Sequence, residues 1–80
     1  MGSFRLRLVK SAEIAILALP FPLRRQINHA ICRLKQEPLP RDCESFGRGR
    51  CRLRLHGCRI LFVVDEGQAL VTVYAIRRDN

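Results

Sequence analysis

The stretch that decides the fold is RCRLRLHGCRILFVV, residues 50–64. Basic and apolar side chains alternate from Arg50 to Leu55, a pattern typical of a half-buried strand. The run from Cys58 to Val64 is apolar almost throughout, as expected for a central strand. His56-Gly57, between them, has the length and composition of a two-residue hairpin turn. We therefore predict a β-hairpin with strands at 50–55 and 58–64.

This turn fixes which side chains share a face of the sheet. Leu55 would lie opposite Cys58 and Arg54 opposite Arg59, and directly paired residues project to the same side. One face would then carry the basic residues Arg50, Arg52, Arg54 and Arg59. The other face, which must be the core, would carry Cys51, Leu53, Leu55, Cys58, Ile60, Phe62 and Val64.

A third strand is predicted over Leu70–Ile76, which is rich in Val, Thr and Tyr. Its register depends on the length of the preceding turn. An even number of turn residues would bring Tyr74 and Arg78 beside Arg59, whereas an odd number would bring Arg77 there. We favour the first alternative and place Arg78 on the basic face.

The N-terminal part of the chain predicts one further strand and a short helix. Residues 4–9 alternate, so a strand should point Phe4, Leu6 and Leu8 inward. Ser11 is a suitable N-cap residue, with Glu13 in the first helical turn, where the helix dipole favours an anion. The apolar stripe of this helix is predicted to be Ile14, Leu17 and Ala18.

A second helix is predicted from Pro22, at its first position, to about Lys35. Its buried side follows the helical spacing of Leu23, Ile27, Ala30, Ile31 and Leu34. Residues 36–49 show no periodicity and are predicted to form a loop. The fold class is therefore α+β in the order β-α-α-β-β-β, with a helical hairpin packed on one face of a small, mainly antiparallel sheet. We expect residues 1–80 to form one domain.

The charge of the chain points to a polyanionic partner. Fifteen Lys+Arg face seven Asp+Glu, a net charge of +8, and all the cations except Lys10 and Lys35 are Arg. No acidic residue interleaves between Gly49 and Val64, which favours a functional basic face. Guanidinium groups bind phosphate in two-point contacts but stay protonated, so they cannot act as a general base. His56 is the titratable imidazole nearest to them.

Cysteine usage and hydropathy exclude several other classes of protein. Cys32, Cys43, Cys51 and Cys58 form no C-x-x-C pair, and the two His do not complete a zinc-ligand spacing. We expect reduced, core-forming thiols in a cytoplasmic protein, with no metal and no cofactor. No apolar run approaches the roughly 20 residues of a membrane span, so no membrane partner is expected.

The order of these elements resembles the RelE/ParE superfamily of bacterial toxins from type II toxin–antitoxin systems. The residues that carry the resemblance are Cys51–Phe62 and Val71–Asp79, together with Lys10-Ser11-Ala12-Glu13 and Leu19-Pro20 in the N-terminal half. The resemblance spans nearly the whole chain and implies the same β-α-α-β-β-β fold.

The resemblance also implies a function and a site. RelE-like members cut mRNA in the ribosomal A site by attack of a 2′-hydroxyl on the neighbouring phosphate. The matching catalytic residues here would be Arg52, Arg54, Arg59 and Arg78, with RNA also bound by Arg50, His56 and Arg77. The expected partners are mRNA on the ribosome and an acidic antitoxin. Two alternatives remain open: a ParE-type inhibitor of DNA gyrase without nuclease chemistry, and a degenerate basic RNA-binding relative.

Overall fold

A computed structural model describes residues 3–79; Met1, Gly2 and Asn80, which belong to the predicted domain, lie outside that range. The elements are β1 (Arg5–Leu8), α1 (Lys10–Leu17), α2 (Phe21–Arg33), β2 (Glu44–Ser45), β3 (Arg50–Leu55), β4 (Cys58–Asp65) and β5 (Leu70–Arg78). The predicted order is confirmed, with one addition: the segment 36–49, predicted to be a loop, contains the two-residue strand β2.

The strands form one sheet in the order β1-β5-β4-β3-β2. β1 pairs with β5 in parallel, while the other neighbouring strands are antiparallel. The two helices lie between β1 and β2 along the chain and cover one face of the sheet, where α1 packs on β5. The predicted α+β class, with a mainly antiparallel sheet, is confirmed.

The hairpin of β3 and β4 has the predicted register. Leu55 pairs with Cys58 and Arg54 with Arg59, and the pairing continues without interruption to Arg50 and Val63. The turn residues have positive φ angles, 53° at His56 and 74° at Gly57, as two-residue hairpins require to match the twist of their strands. The predicted core face is confirmed: Cys51, Leu53, Cys58, Ile60, Phe62 and Val64 are buried, and Leu55 packs against them.

The β4–β5 ladder departs from the predicted register. The turn from Glu66 to Ala69 has the even length that we favoured, so the ladder starts with Asp65 opposite Leu70. A β-bulge then shifts the register between Leu61 and Phe62 and leaves Tyr74 without a partner.

Beyond this bulge Arg59 pairs with Arg77, whereas Arg78 pairs with the core residue Cys58. Paired residues share a face, so Arg78 lies on the side of the sheet that the helices cover. The prediction that Arg78 lies beside Arg59 on the basic face was therefore wrong, because one extra residue in a strand exchanges the faces of all the residues that follow.

The first helix buries a different side from the one predicted. Ala12 and Ile16 are buried, while Ile14 and Leu17 are 58% and 66% exposed. Most side chains of α1 are apolar, so their spacing does not select a face, and the small Ala12 allows close packing on the sheet. The predicted N-cap was also wrong, because α1 begins at Lys10 after Val9, which makes no capping hydrogen bond.

The second helix and the first strand agree with their patterns. Ile27, Ile31 and Leu34 are buried in α2 and the turn that follows it. The helix begins at Phe21, so Pro22 occupies its second position instead of its first. In β1 the predicted inward residues Phe4, Leu6 and Leu8 pack against the core.

The cysteines have four different environments. All four are free thiols; Cys51 and Cys58 are buried, Cys43 is half-buried and Cys32 is exposed. The prediction that all four fill the core was therefore wrong for Cys32, which lies on the solvent side of α2. Burial, and next to it the neighbouring Cys43 thiolate, raise the pKa of Cys51 to about 11.

Candidate nucleic-acid interface

The sheet face opposite the helices carries most of the arginines. On β3 these are Arg50, Arg52 and Arg54, and the paired residues Arg59 of β4 and Arg77 of β5 lie on the same side. On β1, Arg5 and Arg7 pair with Leu70 and Thr72, which also lie on this side. We call this surface the basic face, defined by Arg5, Arg7, Arg50, Arg52, Arg54, Arg59 and Arg77.

Arg5 and Arg7 were not included in the predicted site, although a signal for them existed. Leu6 and Leu8 of β1 point to the core, so the alternating arginines must point away from it. Both helices lie on the core side, and every outward residue of every strand therefore belongs to one common surface. Half-buried Leu61, Val63 and Thr72 occupy the middle strands, with arginines towards both edges of the sheet.

Two carboxylates from outside residues 49–64 form ion pairs with arginines of the basic face, while a third, Asp65 opposite Leu70, accepts hydrogen bonds from Gln68 instead. The first is Glu44 of β2, which pairs with Arg52 in the ladder. Its Oε1 accepts a hydrogen bond from Arg52 Nε at 2.8 Å and lies 2.7 Å from a terminal guanidinium nitrogen. The sequence showed no pattern around Glu44, so this contact was not predicted. The charge of Arg52 is therefore largely balanced within the chain.

The second carboxylate is Asp79, which follows β5. Its Oδ1 lies 2.9 Å from Arg59 Nε, but that N–H has no directed hydrogen-bond partner, so the contact is an ion pair only. The backbone N–H of Asp79 donates to the carbonyl of Gly57 at 2.8 Å and holds the end of β5 against the β3–β4 turn. The expectation of a positive face without acidic neighbours was therefore wrong at Arg52 and Arg59.

The remaining cations of the site keep their positive charge. Within residues 3–79, Arg50, Arg54 and Arg77 form no ion pair, and all three are exposed. Arg54 and Arg77 both lie beside Arg59, as its ladder partners on the two neighbouring strands. Three guanidinium groups side by side repel one another, and a bound anion would relieve that repulsion.

An aromatic ring completes the site. The ring of Phe46, which follows β2, has the Arg52 guanidinium carbon 5.1 Å from its centroid, within the range of a cation–π contact. Phe46 is nevertheless 54% exposed. Sequence patterns did not single out Phe46, because this residue lies in a segment without periodicity.

The predicted imidazole lies at one end of this surface. His56 is exposed at the β3–β4 turn, next to Arg54 and Arg59 in the ladder. No cluster of three or more potential metal ligands is present between residues 3 and 79. Over the same residues, neither α1 nor α2 is long and apolar enough to cross a membrane.

The architecture was compared with known proteins. Three solved structures match nearly the whole chain: the RelBE2 toxin–antitoxin complex of Mycobacterium tuberculosis, the isolated RelE toxin of E. coli and the RelE–RelB complex of Pyrococcus horikoshii. Their TM-scores are 0.82, 0.85 and 0.84 at identities of 20%, 16% and 19%. The matches cover 95%, 98% and 95% of this chain and 98%, 86% and 94% of theirs. The chain has a RelE-like fold.

This chain resembles the RelE structures in its fold far more than in its sequence. No protein-family model and no curated protein sequence matches the chain. At such identities the individual arginines of the basic face gain no role from the comparison, and their chemistry has to be argued from this chain's own residues.

Proposed function

We propose that this protein is the toxin of a type II toxin–antitoxin system and that it cleaves mRNA on the ribosome in the cytoplasm. The observation that carries the proposal is the group of three arginines around Arg59, where Arg54 and Arg77 have no carboxylate partner. Within a RelE-like fold, this group supports the binding of RNA phosphates. Residues 1–80 would act as one domain.

The arginines would act by binding and by electrostatic stabilisation. Arg54 and Arg77 would hold adjacent phosphates. Arg59 would face the charge that builds up when a 2′-hydroxyl attacks phosphorus and the bond from phosphorus to the 5′-oxygen breaks, with water taking the hydroxyl proton and supplying one to the departing 5′-oxygen. Arg50 would extend the track along β3. Arg59 has to leave Asp79 for this purpose; because that ion pair is partly exposed, the exchange costs little.

The test is cleavage of a defined message by purified protein in the presence of ribosomes. Arg54→Ala should reduce cleavage at least about tenfold, as expected for the loss of one charge-assisted contact to the transition state. Arg25→Ala removes the same charge at an exposed position of α2, away from Arg54, and is the matched control that should cleave like the wild type. Intact wild-type protein that leaves the message uncut would overturn the nuclease proposal.

A second function is favoured by the chemistry of the same residues. Arginine cannot accept a proton, and the carboxylates that the described residues place on this surface are occupied: Glu44 and Asp79 by arginines, and Asp65 by hydrogen bonds from Gln68. A site of this kind suits binding without catalysis, as in a gyrase inhibitor. Inhibition of DNA supercoiling in the absence of RNA cleavage would select this function.

The proposed partner is an acidic antitoxin. Two of the three similar structures are toxin–antitoxin complexes. In this chain an acidic segment would find the basic face on one side and the exposed apolar residues Ile14, Leu17 and Phe21 on the helices. A short acidic reading frame beside this one, whose product co-purifies with the protein, is the expected result.

A further inference from the structure

Phe46 is a large apolar side chain left open on a charged surface. More than half of it is exposed, at 54%, although Phe62 in the same sheet is completely buried. An exposed aromatic ring beside several cations is a common feature of surfaces that bind single-stranded nucleic acids. Its environment therefore has to be considered in detail.

The backbone around Phe46 is held firmly. The Phe46 N–H donates to the carbonyl of Arg50 at 2.8 Å, and the Arg50 N–H donates to the carbonyl of Gly47 at 3.1 Å. Between them the chain turns through three successive residues with positive φ: 89° at Gly47, 56° at Arg48 and 78° at Gly49. The two hydrogen bonds close this turn and place the Cα of Phe46 at the end of β2, beside Arg50.

Gly49 anchors this turn to β4. A Cβ at Gly49 would lie 2.3 Å from the carbonyl oxygen of Val64, so no larger residue fits without a shift of the backbone. The Val64 N–H also donates to the Gly49 carbonyl at 2.8 Å. The turn that carries Phe46 is therefore tied to a central strand of the sheet, and the ring is preorganised.

Arg52 supports the ring and is itself held in place. Its guanidinium carbon is 5.1 Å from the ring centroid, and Glu44 Oε1 accepts the hydrogen bond from Arg52 Nε at 2.8 Å. With its charge balanced by Glu44, Arg52 suits the support of the aromatic ring better than the binding of a phosphate. We regard it as a positioning residue.

We propose that Phe46 stacks on an unpaired nucleobase of single-stranded RNA, next to the phosphates bound by Arg50 and Arg54. The inference rests on the proposed RNA-binding function and adds the recognition of a base to it. Every base has an apolar, polarisable surface, so the contact would not depend on sequence. A base inside a duplex does not expose that surface, so the site would discriminate against double-stranded RNA.

The proposal is tested by direct binding of a short, fluorescently labelled single-stranded RNA, measured by anisotropy. Phe46→Ala should weaken binding about five- to hundredfold, the range for the loss of one stacked base, and Phe46→Trp should restore it. Because no charge is removed, the slope of log K against log salt should stay unchanged in Phe46→Ala. Arg54→Ala should instead lower that slope by about one.

A second measurement uses only the wild-type protein, in case Phe46→Ala does not fold. A strand of the same length and charge that is abasic at every position should bind more weakly than the normal strand. Equal binding of the two strands would overturn the stacking proposal. A duplex of the same length should bind more weakly than the single strand.

The outcomes separate this proposal from the function on which it rests. If Arg54→Ala weakens RNA binding and Phe46→Ala does not, RNA binding stands and base stacking is wrong. If the wild-type protein binds no free RNA, the stacking proposal is wrong, and the cleavage assay with ribosomes decides separately on the function on which it rests. If Phe46→Ala weakens only the complex with an acidic protein partner, Phe46 belongs to a protein interface and the stacking proposal is again overturned.

Discussion

The two antiparallel hairpins that build the basic face differ in how their register is maintained. β3 and β4 are joined by His56-Gly57, and their pairing runs unbroken to the far end of the hairpin. β4 and β5 are joined by a longer turn, and a bulge at Tyr74 shifts their pairing by one residue halfway along. In the first hairpin the turn alone determines which side chains meet, whereas in the second the turn determines only half of the strand.

The bulge determines on which face of the sheet Arg77 and Arg78 lie, and this has a functional consequence. Arg77 lies opposite Arg59 because Tyr74 is an extra residue in the ladder. Bulges are frequent beside functional sites, where they redirect a side chain. The regular hairpin of β3 and β4 therefore positions most arginines of the basic face, and the irregular hairpin of β4 and β5 adds Arg77 to them.

The largest expected effect comes from deleting a residue in each hairpin. Deletion of Leu61 from β4 would exchange the faces of Cys58, Arg59 and Ile60 and bring a guanidinium into the core. We expect the loss to exceed about 5 kcal/mol, the lower end of the stability of native domains, and the protein to be unfolded. Deletion of Tyr74 keeps every existing pair in the β4–β5 ladder and should leave a folded protein.

Circular dichroism and thermal unfolding of the two deletion variants measure this difference. A folded protein without Leu61 would show that the central register is not fixed by the core. An unfolded protein without Tyr74 would show that the extra residue of the bulge is needed for stability.

The next effect concerns the glycines at the two ends of the first hairpin. Gly49 and Gly57 both have positive φ, 78° and 74°, but only a Cβ at Gly49 would meet backbone atoms. Gly57→Ala should cost about 1 kcal/mol for the left-handed conformation alone. Gly49→Ala should cost about 2–3 kcal/mol, because the hydrogen bond from Val64 to Gly49 is also strained. Equal losses in chemical denaturation would contradict the close approach at Gly49.

The same contrast shows what sequence reasoning could find. The register of β3 and β4 was predictable because a two-residue turn and strict alternation leave one solution, with Arg54 opposite Arg59. The place of Arg78 was not, since no turn residue or glycine marks the bulge at Tyr74. The prediction from the even number of turn residues was correct up to Tyr74 and wrong after it.

The contacts of β2 were beyond the reach of pattern analysis for another reason. A strand of two residues has no periodicity, so Glu44 and Phe46 could not be placed beside Arg52. Only the three-dimensional approach of residues 44–46 to β3 shows that this arginine is already occupied. Local patterns thus placed the arginines of β3 and β4 on one face, while the carboxylates and the aromatic ring of the site depend on tertiary structure.

The bulge can be tested at the level of function by replacing neighbouring arginines. Arg77→Ala should weaken RNA binding about tenfold and lower the salt slope by about one, because a phosphate contact is lost. Arg78→Ala removes the same charge one residue away, on the helix-covered side, and should have a smaller effect. Titrations of both variants at several salt concentrations provide the measurement. A larger effect at Arg78 would mean that the predicted, bulge-free register forms when RNA binds.

The smallest effect tests the packing of the regular hairpin through a thiol at its centre. Cys51 lies opposite Phe62, and burial, followed by the charge of Cys43, raises the pKa of Cys51 to about 11 from 9.0. Between these two values the unfolded chain releases a proton that the folded chain retains, so stability must fall as the pH rises above about 9. By pH 10 this loss should be about 1 kcal/mol.

Cys51→Ala should remove this part of the pH dependence, measured by denaturant unfolding from pH 8 to 10, after allowance for its lower stability at every pH. Cys43→Ala should only reduce it, because the larger cause is burial between β3 and the helices. If both variants keep the full dependence, Cys51 is not shielded from water as its burial in the structure implies, and the core beneath the basic face is open to water.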